Sequence, residues 1–108
     1  MLSNQYSGVE RRQSDRIVIA MPATLRVSGG RRVTVDLRDI SVTGFSCEYA
    51  SSLSVGERLW LKFADYEALE VEVTRREGFY YGFCFTRPLH QAMIDHVVKR
   101  YGKIVESC

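Results

Sequence analysis

At 108 residues, with 45% hydrophobic and 26% charged residues, the chain has the composition of one folded domain and no room for a second core. A formal net charge of +2 argues against a general DNA- or RNA-coating protein. No apolar run approaches the ~18 residues a membrane helix needs, and Met1–Gly8 is too polar for a secretory leader, so a cytoplasmic protein without membrane insertion is expected.

Residues 1–9 show no periodicity and read as a flexible N-terminal tail ahead of a domain over 10–108. From Ile17 the pattern turns to strand, with Pro22 suiting a strand edge or a bulge. Leu25 and Val27 alternate up to Ser28-Gly29-Gly30-Arg31, a hairpin turn in which glycine supplies positive φ. Val33, Val35 and Leu37 then face one way while Thr34, Asp36 and Arg38 face the other. That alternation breaks at Asp39-Ile40 and restarts after Gly44 with Phe45, Cys47 and Tyr49. Residues 51–56 form a loop, followed by Leu59, Leu61 and Phe63 with Trp60 and Lys62 opposite. Leu69, Val71 and Val73 alternate with Glu70, Glu72 and Thr74. Glu77-Gly78 turns the chain, and Tyr81, Phe83 and Phe85 alternate with Tyr80, Gly82 and Cys84. About six strands with frequent turns predict an all-β fold, a closed or nearly closed antiparallel barrel.

After Thr86 the period changes to helical. Pro88 suits a first helical turn, Leu89, Met93, Ile94, Val97, Val98 and Tyr101 share a face, and Gly102 stands where a C-terminal cap belongs. A C-terminal helix of roughly four turns, over about residues 87–102, is expected to plug one barrel mouth. Trp60, on the non-core phase, and Tyr80, expected in a neighbouring strand, could form an aromatic patch for a partner, but a face covered by the tail or the helix is the favoured expectation. Cys47 and Cys84 are expected as small reduced core residues and Cys108 as exposed. Neither the cysteines nor His90 and His96 are spaced to hold a metal, and Asp95-His96 has no nucleophile elbow beside it. No catalytic residue, metal or cofactor is expected.

Two polar clusters stand apart from this alternation. Twelve arginines against three lysines is an uneven use of positive charge, and seven of the arginines lie between Arg11 and Arg38. Arg11, Arg12 and Arg16 form one cluster, the last two in an R-x-x-x-R pattern. Asp39-Ile40-Ser41-Val42-Thr43-Gly44 forms the other, with carboxylate, hydroxyl and glycine at spacing D-x-S-x-x-G. Guanidinium forks bind phosphate bidentately and stack on flat rings. A carboxylate accepts the paired N–H donors of guanine. Together the clusters suit a ligand with both phosphates and a hydrogen-bonding base, and point to a nucleotide sensor.

Arg12-Gln13-Ser14-Asp15-Arg16 and Asp39-Ile40-Ser41-Val42-Thr43-Gly44, in that order and flanking one predicted hairpin, resemble the two motifs of PilZ domains. Gly56 and Gly82-Phe83-Cys84-Phe85 before the helix are similar to the same family, over roughly residues 10–101. The resemblance implies a six-stranded barrel that binds the bacterial second messenger cyclic di-GMP and signals to a downstream protein. It implies that Arg12 and Arg16 hold phosphate and guanine, that Asp39 and Ser41 contact a guanine edge and nearby phosphate, and that Gly44 permits the tight turn that aims them. Arg11, directly before the first motif, implies two stacked ligand molecules per protomer. Arg75 stands where many relatives carry an aromatic residue that stacks on a base.

Three other classes compete. A PilZ-like barrel that binds no nucleotide and acts through contacts, as relatives in type IV pilus assembly do, usually lacks one or both motifs, whereas both are intact here. A small phosphodiesterase needs paired carboxylates with metal ligands, which the spacing does not supply, so no enzyme is expected. A single-strand nucleic-acid barrel needs a basic groove with aromatics, and Glu67, Glu70, Glu72 and Glu77 make the later strands a poor one.

Overall fold

The structure, a computed structural model, describes residues 16–102. Six strands, β1 (Ile17–Val27), β2 (Arg32–Ile40), β3 (Gly44–Glu48), β4 (Arg58–Lys62), β5 (Leu69–Glu77) and β6 (Tyr80–Phe85), precede one helix, α1 (Gln91–Tyr101). The strands run β1-β2-β3-β6-β5-β4 around a closed barrel, every pair antiparallel. Closure runs through β4, whose Leu59–Lys62 pairs back onto Thr24–Val27 of β1. The barrel and its C-terminal helix are as expected from the alternation.

The inward phase is the one the sequence predicts. Leu25, Leu37, Phe45, Leu59, Val71 and Tyr81 are fully buried and belong to a single core. Phe45 stacks on Phe83 at 4.8 Å across the β3–β6 pair, which ties the two middle strands together through a ring contact. The glycine turns at Gly29 and Gly78 have φ of 76° and 65°, left-handed values that a side chain disfavours. Pro22 sits just past a β1 bulge and beyond the end of the β4 ladder, which begins at Thr24↔Lys62, so its missing N–H interrupts no ladder on that side.

Both barrel mouths are stoppered. At the hairpin end, the buried Tyr81 hydroxyl accepts from Leu53 N and donates to Ser51 O. Arg76 bonds the same loop through Leu53 O and Ser52. At the opposite end α1 buries Ile94 and Val97 in the core, and the bridge Ile19↔Gly102 joins its end to β1.

Several expectations are corrected. The helix is shorter than predicted, about three turns, because it starts at Gln91 with His90 as its N-cap. Pro88 and Leu89 precede it, and Leu89 N bonds Val42 O, which spends the chain after β6 on tethering the β2–β3 turn rather than on helix. Gly102 caps α1 without a left-handed φ; a Cβ there would collide with Val98 O. Cys84 is exposed, not core, because it shares the outward phase of β6 with Gly82, while Cys47 is buried as expected. Trp60 and Tyr80 are not neighbours, since β5 separates β4 from β6. The expectation of a flexible tail over 1–9 concerns residues outside those described.

Candidate functional site

The alternation of β2 breaks at the motif because of a bulge. Between Leu37↔Cys47 and Asp39↔Ser46, β2 advances two residues while β3 advances one. One extra residue lets Arg38 and Asp39 both face outward, while Leu37 and Ile40 on either side remain buried. Without the bulge, strict alternation would aim the Asp39 carboxylate into the core.

On the outer face that carboxylate has two partners. Arg16 donates to Asp39 Oδ1 at 2.9 Å, across 23 residues of chain. Ser46 Oγ donates to Asp39 Oδ2 at 2.6 Å and lies 2.7 Å from the Tyr80 hydroxyl. A serine has one proton to give. Since it goes to the carboxylate, Tyr80 is the donor to Ser46, and a directional chain runs from Tyr80 through Ser46 to Asp39. The arginine cluster and the acid of the second motif, separate in sequence, are thus in contact through Arg16. Arg11 and Arg12 lie outside the described residues.

Ser41 is placed differently from Asp39. It is 1% exposed, and its Oγ accepts from the backbone N–H of Thr43 and Gly44, both at 3.2 Å. The hydroxyl therefore closes the β2–β3 turn as a side-chain-to-backbone cap. Gly44 is needed for a reason other than a left-handed turn. A Cβ on it would collide with Phe83 O and come within 3.1 Å of Phe83 C. Glycine here permits the close approach of β3 and β6, the pair that brings the Tyr80 hydroxyl to Ser46.

The sheet register extends the site beyond the two motifs. Asp39 pairs with Ser46, Ser46 with Gly82, and Gly82 with Arg75, so one row crosses β2, β3, β6 and β5. By strand spacing, its ends lie about 14 Å apart. The small residues Ser46 and Gly82 keep the middle of the row low. The Arg75 guanidinium carbon comes within 3.6 Å of where a Gly82 side chain would begin, so that cation lies across the row's far end. A carboxylate flanked by arginine at one end and a flat guanidinium at the other can take a hydrogen-bonding ring together with anionic groups.

The sequence pattern does not single out Ser46, and it marks Tyr80 as an outward aromatic rather than as part of this site. The available signal was a lone small hydroxyl between Phe45 and Cys47, in a strand following the motif by two residues.

The sequence matches the PilZ domain family over residues 10–101. The chain belongs to the PilZ family. A solved relative in fold is the PilZ domain of CeSA from a cellulose-synthesizing bacterium, at 22% identity and a TM-score of 0.61, covering 81% of this chain and 98% of that one. At that identity the likeness concerns the fold. No curated protein matches the sequence. PilZ domains are binding and adaptor domains, generally receptors for cyclic di-GMP. Among the described residues no helix is long and apolar enough to cross a membrane.

Proposed function

We propose that this PilZ domain is a cyclic di-GMP receptor that changes its surface on binding and thereby signals to a downstream protein. The observation that carries the reading is the 2.9 Å contact between Arg16 and Asp39, which joins the two motifs on one outer face of the barrel. In this reading Asp39 accepts the N1–H and N2–H of a guanine, the ligand's phosphates draw Arg16 away from the carboxylate, and Arg11 and Arg12 close on the same phosphates. Ser41 contributes by holding the β2–β3 turn next to Asp39, and Gly44 by permitting the β3–β6 approach that brings Tyr80 to Ser46. Arg75 offers its guanidinium plane to a base at the other end of the row.

The Arg16–Asp39 pair is partly exposed, with side chains 39% and 21% accessible. Such a pair is weak in water, and a doubly anionic ligand displaces it at little cost. The exchange moves Arg16 and the chain before it, which is a contact difference between states and hence a means of signalling. An arginine at position 11 further favours two stacked ligands per protomer.

Isothermal titration with cyclic di-GMP tests both parts. Saturation with two ligands per protomer is expected, weakening as salt is raised. A thermal shift corresponding to ~2.7 kcal/mol is expected at 100 times the dissociation constant. Arg16→Ala and Asp39→Ala should each lose roughly 1.5–3 kcal/mol of binding. Absence of any heat or shift with the wild type would leave a contact-only barrel as the function.

A further inference from the structure

We propose that two copies of this chain pair edge to edge through the first half of β2, about a two-fold axis at Thr34. The β2–β3 ladder ends at Leu37↔Cys47, so Arg32–Asp36 is hydrogen-bonded to β1 on one side only. Among the described residues no backbone group reaches this run from the other side. Instead a groove of about 550 Å³ opens there, lined by Val33, Val35 and Asp36 on one wall and by Glu48 and the exposed Phe79 on the other. A strand in this position carries unused donors and acceptors on alternate residues and is a template for another strand.

The side chains specify which strand fits. Antiparallel pairing centred on Thr34 sets Arg32 opposite the partner's Asp36, and Val33 opposite the partner's Val35. Because the pairing is isologous, each contact occurs twice. Among the described residues neither Arg32 nor Asp36 has an ion-pair partner within its own chain. Arg32 is in fact paired across the β1–β2 ladder with Arg26, a like charge, and Asp36 with Pro22. A second copy supplies the opposite charge that each lacks. Sliding by two residues sets Arg32 opposite Arg38 or opposite Thr34, and sliding by one sets outward residues against inward ones. The charges therefore select one register of this same strand and repel others. Asp39 and Ser46 lie past the end of the open run, so the pairing and the ligand site do not compete for the same residues.

Sedimentation of the full chain under reducing conditions, across protein concentration, tests the pairing; the reductant keeps exposed Cys84 from linking copies. Wild type is expected to show a reversible, concentration-dependent dimer. Arg32→Glu and Asp36→Arg, both on exposed positions, should each stay folded by circular dichroism yet raise the dimer dissociation constant roughly tenfold or more, since each turns two attractive pairs into repulsive ones. An equimolar mixture of the two variants restores opposite charges at both positions and should form a heterodimer. Wild type that remains monomeric up to its solubility limit overturns the proposal. So does either variant dimerising like wild type, or a mixture that stays monomeric.

Discussion

Adding one methyl group to Gly44 tests whether this glycine serves the approach of two strands or the conformation of a turn. Its φ is not left-handed, so Gly44→Ala creates no intrinsic backbone strain. What it creates is a collision with the carbonyl oxygen of Phe83, with Phe83 C at 3.1 Å and the Cys84 Cα at 3.3 Å behind it. All three are backbone atoms in a paired strand and cannot rotate aside. The end of β3 must therefore lift from β6. Overpacking of this kind costs about 1–3 kcal/mol. Lifting also threatens the bonds from Phe85 N to Thr43 O and from Ser41 N to Gly44 O, both 2.8 Å, at roughly 1 kcal/mol each. The expected loss is about 2–4 kcal/mol, a large part of the ~5–15 kcal/mol that a domain has. For a domain of this size that lowers the melting temperature by roughly 10–25 °C. Urea unfolding followed by Trp60 fluorescence measures it, with Gly29→Ala as the contrast. Gly29 has open space around it but a φ of 76°, and its cost should stay near 1–2 kcal/mol. A Gly44→Ala protein within ~0.5 kcal/mol of wild type, the scatter of neutral surface changes, would refute the close-approach argument.

Tyr80→Phe removes the donor to Ser46 and should cost roughly 0.5–1.5 kcal/mol of stability, with a smaller loss of cyclic di-GMP affinity than Asp39→Ala, as read by urea melts and titration. Asp39→Asn breaks a partly exposed ion pair, so ligand-free stability should change by less than ~1 kcal/mol while nucleotide affinity falls; an equal effect on both would remove Asp39 from the ligand. Burial pushes the Cys47 thiol up from 9.0 to about 12. The folded state therefore keeps a proton that the unfolded chain releases, and stability present below pH 9 is lost as pH rises toward 12, by up to about 1.4 kcal/mol per unit. Cys47→Ala should flatten that fall in urea midpoints, and a maleimide at neutral pH should label Cys84 while sparing Cys47.

How much of this was legible in the chain depends on how local each cause is. Alternation in β2, β5 and β6 is set by neighbours two residues apart, and the glycine turns at Gly29 and Gly78 by the φ of single residues, so the strands and their inward faces could be read directly. The same alternation contained the exposure of Cys84, which a general preference of cysteine for cores obscured. The helix start was misplaced because Leu89 answers to Val42 across the barrel mouth rather than to its own turn.

The two motifs, and the break in period at Asp39, were also visible without coordinates, because residue type and spacing carry them. That Arg16 reaches Asp39, that Ser46 and Tyr80 complete its surroundings, and that Arg75 closes the row were decided only when β2, β3, β6 and β5 came into register. Strand order and bulge position are properties of pairs far apart in the chain, settled by how the inward side chains pack. A linear pattern identifies which residues face out, but only the closed barrel determines which of them meet.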